Sequence, residues 1–361
     1  MRAAFEENFA ARGDIGASFA ATVEGEPAID LHGGFLDTER SRAWREETLV
    51  CVFSSTKAAL ALCALWLADG RGLDLDAPVK RYWPEFLASE VTTRQCLAHT
   101  AGLPGWEEPR ETADLYDFEK CAAALARQAP WWRPGGEWHY HALTQGFLVG
   151  EIIRRIDGRP VGRLLAEEFA GPLGADLFIG AGPDLDRRIG PIIPGLAGPP
   201  PPSPPEGSIE ARMAANPPFS METALEIPFR RAEIPAANGF GAARALALLM
   251  APLACGGEAR GRRFLSAAGA ARALDPAWRG TDPASGLPFV FGTGFALALG
   301  PISFGSGACG FWGGAGGSLA GFDAGRRVSF AYVPNRMGNW PFGDPRNMSL
   351  VSALYRGLEA V

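Results

Sequence analysis

Near the start of the chain, Ser54-Ser55-Thr56-Lys57, within VFSSTKAALAL, has the residue types and spacing for covalent chemistry. On the first turn of a helix, residues three apart share a face, so Ser54 and Lys57 are expected to be neighbours. The helix N-terminus adds unbonded N–H groups and a partial positive charge. That environment stabilises a developing alkoxide and, together with burial, lowers the lysine pKa. A neutral lysine takes the serine proton and turns the hydroxyl into a nucleophile. Only three of the 34 Lys and Arg residues are lysines: Lys57, Lys80 and Lys120. Arginine does not release its proton in a protein and lysine does, so a lysine kept at this position fits a base. A helix-capping serine followed by a solvated lysine gives the same four-residue pattern. The apolar run after Lys57, which reads as core, and two further motifs argue against that alternative.

The second motif is Trp138-His139-Tyr140-His141-Ala142, between PGGE and a helical segment. A tyrosine placed there can aim its hydroxyl into a cleft, and a nearby cation would lower its pKa and let it shuttle protons. A packed aromatic with a satisfied hydroxyl is the plainer alternative. The third is Phe311-Trp312-Gly313-Gly314-Ala315-Gly316-Gly317-Ser318. Glycines let a strand edge bring its backbone close to a ligand. An N–H there, paired with that of Ser54, would form an oxyanion hole; an ordinary glycine-rich turn is the alternative. His139 and His141 flank one residue, but no third ligand accompanies them, so neither a metal nor another cofactor is expected. Cys51, Cys63, Cys96, Cys121, Cys255 and Cys309 are scattered without a CxxC pair and read as reduced, mostly buried thiols.

These residues need elements to hold them. Residues 2–12 read as a helix, and 16–23 and 28–36 as a strand pair. The segment 56–68 (TKAALALCALWLA) reads as a buried helix, too short to span a bilayer. Apolar spacing predicts helices over 117–128, 143–156 and 241–255, and a closing helix over 346–359. Strand-like runs fall at 289–299, 309–312 and 328–333. The stretch 190–218 holds four consecutive prolines at 199–202 and reads as an extended, proline-rich surface loop. Strands at both ends and helices between them predict an α+β fold of the α/β sandwich kind, an antiparallel sheet flanked by helices plus a mainly helical subdomain. Residues 1–75 and 240–361 would build the sheet domain and 76–239 the helical one, with a cleft between them.

The 361 residues suffice for two such parts. Hydrophobic residues make up 47% and charged residues 20%, so the chain is globular rather than disordered. The net charge of −6 favours neither nucleic acid nor an anionic membrane as partner. The N-terminal MRAAFEENFAARGDIG lacks the pattern of a signal peptide, which points to a cytoplasmic protein. Oligomeric state is not legible.

The three motifs, in this order and spacing, resemble the serine β-lactamase and penicillin-binding-protein superfamily, of which S-x-x-K is characteristic. The likeness is to class C β-lactamases and, most closely, to family VIII carboxylesterases. It extends through YWPEF (82–86), TTRQCLAHTAGLPG (92–105), PGGEWHYH (134–141), LVGEIIRRIDG (148–158) and GGAGGSLAGFD (313–323). The resemblance implies a β-lactamase/transpeptidase-like fold. It implies that Ser54 is acylated, that Lys57 is its partner, and that Tyr140 stands for the tyrosine of a Tyr-x-Asn motif. Trp312-Gly313-Gly314 falls at the Lys-Thr-Gly position that contacts substrate, and Ala315 supplies the second oxyanion N–H. Whether Lys57 or Tyr140 is the main base stays open, and His99 is expected to be structural. Two departures bear on the substrate: Trp312 replaces a lysine that attracts the lactam carboxylate, and Ala142 replaces the asparagine. Together with Trp106, Trp131, Trp132 and Trp138 they point to small or aromatic neutral esters. The alternatives are a β-lactamase, D-amino peptidase or acyltransferase of the same superfamily, and a catalytically silent binding scaffold.

Overall fold

The computed structural model describes residues 1–195, 204–283, 286–299, 303–338 and 343–360. Its frame is an antiparallel sheet of β1 (Gly16–Val23), β2 (Glu26–Gly34), β3 (Trp278–Thr281), β4 (Pro288–Phe291), β5 (Ala296–Leu297), β6 (Cys309–Gly313), β7 (Leu319–Asp323) and β8 (Val328–Pro334). The spatial order is β2-β1-β8-β7-β6-β5-β4-β3. The N-terminal hairpin therefore docks on the last strand, with Phe19 opposite Tyr332 and Ala20 opposite Ala331. Every residue of β8 is buried, and all of β1 except Val23, so both faces at the centre of the sheet are covered. A second, three-stranded sheet joins Val50–Cys51, Gly239–Gly241 and Leu177–Ile179.

The principal helices are α1 (Arg2–Ala11), α2 (Thr56–Ala68), α3 (Phe118–Arg127), α4 (Thr144–Asp157), α5 (Ile209–Ala215), α6 (Ala243–Ala254) and α7 (Pro345–Glu359). α6 lies on the sheet, tied by Ser329 Oγ donating to the Ala247 carbonyl at 2.6 Å and by the Ala243 N–H donating to Ser18 Oγ at 3.0 Å. α1 meets α7, with Asn8 Nδ2 donating to the Arg346 carbonyl at 3.1 Å. α2 is apolar all round and has 12 of its 13 residues buried, as a helix enclosed on every side must be. α4 and α6 pack against it.

The sequence-predicted elements match closely at the long helices and less well among the strands. The run 289–299 is not one strand: Gly292–Gly294 break it into β4 and β5, with Gly294 at φ +86°. β3, β7 and the strands at 177–179 and 239–241 have no counterpart in the sequence reading. Nor is 190–218 extended throughout. Its prolines 199–202 lie outside the described residues, but SIEARMAAN beyond them forms α5, with Ser208 Oγ accepting the Ala211 N–H at 3.1 Å. A capping serine and good helix formers outweigh the prolines around them. All six cysteines are buried and unpaired, and burial pushes the Cys51 and Cys96 thiols up to about 12. Among the described residues no helix is long and apolar enough to cross a membrane.

Candidate active site

Ser54 sits in a single 3-10 turn, Phe53–Ser55, that opens directly into α2. Phe53 has φ +45°, a left-handed conformation that a bulky residue takes only when its surroundings impose it. The surroundings here are hydrogen bonds from three directions. Thr56 Oγ1 donates to the Phe53 carbonyl at 2.5 Å and accepts the Gly239 N–H at 2.8 Å. The Val52 N–H donates to the Gly239 carbonyl at 2.8 Å. Ser318 Oγ donates to the Val52 carbonyl at 2.8 Å and lies 2.9 Å from Ser55 Oγ. The elbow therefore presents the half-buried Ser54 and keeps Ser55 inside. Because Ser54 lies in the first turn, its N–H has no intrahelical acceptor.

Lys57 follows one turn on, wholly buried. Its Nζ lies 3.4 Å from Ser54 Oγ and donates to the carbonyls of Ala142 at 2.7 Å and Ala236 at 2.9 Å. Those partners are neutral. Burial drives the amine well below its ordinary pKa of 10.5. Tyr140 closes the group, its hydroxyl donating to Ser54 Oγ at 2.7 Å. Its ring lies under the Lys57 amine, 4.9 Å from Nζ to the centroid. Contrary to the sequence-based expectation of a lowered tyrosine pKa, burial raises it; hydrogen bonding to Ser54 and Trp312 only partly offsets this. The amine beside it is itself pushed toward neutrality, so no fixed cation is there to lower it.

The glycine-rich segment lies across the elbow from Tyr140. After β6 the chain makes a tight turn, Ala315–Gly317, with Gly316 at φ +82° and Gly317 at φ +102°. Gly314 packs flush against the elbow: a Cβ there would come within 2.3 Å of the Val52 carbonyl and 3.1 Å of the Ser55 nitrogen. Ala315, partly exposed, opens the turn, so its N–H also lacks an acceptor within that turn. Gly313 is half-buried, whereas Trp312 is sealed inside, stacked on His99 at 5.3 Å and tilted against Tyr140 at 5.8 Å.

The remaining candidates are packing and hydrogen-bonding groups. His99, at φ +61°, accepts the His141 N–H on Nδ1 at 3.2 Å, and burial holds its pKa well below the ordinary value. His141 donates from Nδ1 to the His139 carbonyl at 2.7 Å and accepts the Leu103 N–H on Nε2 at 3.2 Å; burial lowers its pKa to about 3. His139 turns instead to Glu210 on α5, at 2.6 Å. Trp106 packs on Phe147, and Trp138 stacks on Phe291 and Trp278. Trp132 donates its indole N–H to the Glu137 carbonyl at 3.0 Å, and Trp131 lies under the Arg212 guanidinium at 3.8 Å. Sequence reasoning missed Ser318, Arg346 and Asn347, whose side chains brace the elbow and the turn. Only their place in the fold marks them.

An antiparallel sheet flanked by helices, carrying a Ser-x-x-Lys elbow with a tyrosine on the serine, is the architecture of a serine-dependent penicillin-recognising fold. Residues 1–355 match the Beta-lactamase family, and the chain belongs to it. It is 33% identical over 359 residues to the esterase/β-lactamase LipL of Mycobacterium tuberculosis (strain ATCC 25618 / H37Rv), across 92% of this chain and 80% of that one. Among solved structures it is similar to a family VIII carboxylesterase, at 37% identity and TM-score 0.91 over 98% of this chain and 96% of that one. A penicillin-binding protein homologue from Caulobacter crescentus gives 38% identity and TM-score 0.89 over the same shares.

Proposed function

We propose that the protein is a serine carboxylesterase that acts through an acyl-enzyme on small or aromatic neutral esters. The observation that carries this reading is the double contact on Ser54 Oγ: a hydroxyl donating to it at 2.7 Å and a buried, weakly basic amine at 3.4 Å. Lys57 accepts the Ser54 proton while Oγ bonds to the ester carbonyl carbon. Tyr140, held protonated by burial, is the donor of the pair, which favours Lys57 as base. The carbonyl oxygen takes up negative charge facing the Ser54 and Ala315 N–H groups. When the tetrahedral intermediate collapses, the C–O bond to the alcohol breaks. Tyr140 protonates the departing oxygen and regains its proton from the Lys57 ammonium. Water then attacks the acyl carbonyl and gives a proton to the same pair; as the second tetrahedral intermediate collapses, the bond from carbon to Ser54 Oγ breaks, the pair returns that proton to Oγ, and the acid is freed.

The substrate class is inferred from what the site lacks. Trp312 and Ala142 offer neither a cation for a β-lactam carboxylate nor a side-chain amide. The likeness to LipL, an esterase/β-lactamase, makes β-lactam hydrolysis the second reading. Rates on nitrocefin beside a short ester separate the two. The assembled Ser54, Lys57 and Tyr140 speak against a silent scaffold. A cytoplasmic location is part of the proposal, supported by six buried free thiols that fit a reducing compartment.

Hydrolysis of p-nitrophenyl acetate, butyrate and octanoate by wild type and Ser54→Ala tests the reaction. Activity on the short esters is expected to vanish in the variant, and full activity there would overturn the reading. Lys57→Arg, which keeps the charge and cannot release it, should lose at least about two orders of magnitude in kcat, about 2.7 kcal/mol.

A further inference from the structure

The turn Ala315–Gly317 has to hold one N–H at a fixed angle, yet its two left-handed glycines supply no side chain to hold it. Glycine in such a conformation is the residue with most freedom to lose. Its carbonyls are held from outside. Arg346 Nη2 donates to the Gly316 carbonyl at 2.6 Å, and Asn347 Nδ2 donates to the Gly317 carbonyl at 3.0 Å. The Gly338 N–H also reaches the Gly316 carbonyl, at 3.0 Å. Two successive peptide planes are thereby fixed.

Arg346 is itself fully committed. Its Nε lies 3.0 Å from Asp344 Oδ1 and its Nη2 2.7 Å from Asp344 Oδ2. Its Nη1 donates to Asp14 Oδ1 at 3.0 Å and to the Arg336 carbonyl at 2.8 Å. Tyr332 donates its hydroxyl to both Asp14 oxygens, at 2.8 and 2.7 Å. Asp14, Asp344 and Arg346 are all buried, and the fit is close: a Cβ on Gly317 would stand 2.3 Å from Asp344 Oδ2 and 2.9 Å from Arg346 Nη2. Such a planar fork, with each nitrogen assigned, cannot be reproduced by a lysine. If Arg346 and its neighbour Asn347 served only to staple the chain ends, they would have no need to place one donor each on the carbonyls of this one turn.

We propose that Arg346 and Asn347 are positioning residues for the oxyanion-binding turn: from the start of α7 they hold the Gly316 and Gly317 carbonyls and so aim the Ala315 N–H at the charge that develops on the substrate carbonyl. The proposal rests on the reading of Ser54 as nucleophile and Ala315 as oxyanion donor. It requires that losing either side chain weaken the transition state more than the ground state. A misplacement of about 1 Å at an oxyanion donor is felt in kcat.

The experiment compares wild type, Asn347→Ala and Arg346→Lys, each checked for folding by its thermal melt. Hydrolysis of p-nitrophenyl butyrate, inhibition by a phenylboronic acid that bonds Ser54 as a tetrahedral anion, and competitive inhibition by butyrate are measured. The expected result is a kcat loss of roughly 10- to 100-fold with KM within about twofold. Boronate affinity should weaken by a similar factor while butyrate binds as before. A folded Asn347→Ala enzyme with wild-type kcat and boronate affinity overturns the proposal, and it decides the matter if Arg346→Lys does not fold. A boronate that fails to inhibit wild type takes down the Ser54 and Ala315 reading, and this proposal with it; inhibition of wild type but equal inhibition of the variants takes down the proposal alone.

Discussion

Lys57 concentrates the site's chemistry in one buried amine, and its environment is costly to the fold. Its native pKa lies well below 10.5, the value it regains on unfolding. Below the native pKa both states carry the proton and stability does not depend on this group. Between the native pKa and 10.5 the unfolded chain binds a proton that the native one does not, so stability rises with pH; above 10.5 the dependence ends. Lys57→Met removes that dependence. It also leaves the carbonyls of Ala142 and Ala236 without their donor, a cost independent of pH. Melting the two proteins across this range should show wild type gaining on Lys57→Met as pH rises toward 10.5. Parallel curves would mean the native amine is charged. The same titration should appear in wild-type kcat/KM as a rising limb, since only the neutral amine takes the Ser54 proton.

The α2 elbow and the β6–β7 turn are separate elements that must be held in register for two N–H groups to meet one oxygen, and Ser318 is the tie between them. Its hydroxyl spans the gap to the Val52 carbonyl and to Ser55 Oγ. Ser318→Ala removes one of the two donors to the buried Val52 carbonyl, which keeps the Ser55 N–H at 3.1 Å. It should cost about 0.5–1.5 kcal/mol of stability and lower kcat more than it raises KM. A folded variant with wild-type kcat would show that backbone packing at Gly314 alone sets the register. This level is also where the sequence becomes hard to read. α2 was legible to the residue, because the eleven apolar residues that follow Thr56 and Lys57, with Ser55 before them and Gly70 after, admit no other element. Ser54 and Lys57 were legible by type and spacing and Tyr140 through the family resemblance, and the structure brings the three together. β7 was not: LAGFD is short, begins beside glycines and does not alternate, and it becomes a strand because β6 and β8 flank it. Arg346 and Ser318 were illegible for the same reason; their partners are set by tertiary approach and leave no local pattern.

At the scale of the whole molecule, the proposed division into 1–75 with 240–361 and 76–239 meets a helix that serves both parts. α2 contacts α6, which lies on the sheet, and α4, which belongs to the middle of the chain. Residues from both parts join one continuous apolar cluster around it. Two subdomains that share a fully buried helix cannot expose it separately, because whichever melts first strips apolar area from the other. The expectation is one cooperative transition rather than two. Phe147 on α4 and Phe330 on β8 are both completely buried and lie in different parts. Phe147→Ala and Phe330→Ala should each cost about 3–5 kcal/mol and shift the same single transition, with tryptophan fluorescence and far-UV circular dichroism coinciding in wild type and both variants. If Phe147→Ala instead lowers only an early fluorescence step and leaves a later step untouched, the middle of the chain has its own core. The serine elbow at the head of α2 would then belong to the sheet alone.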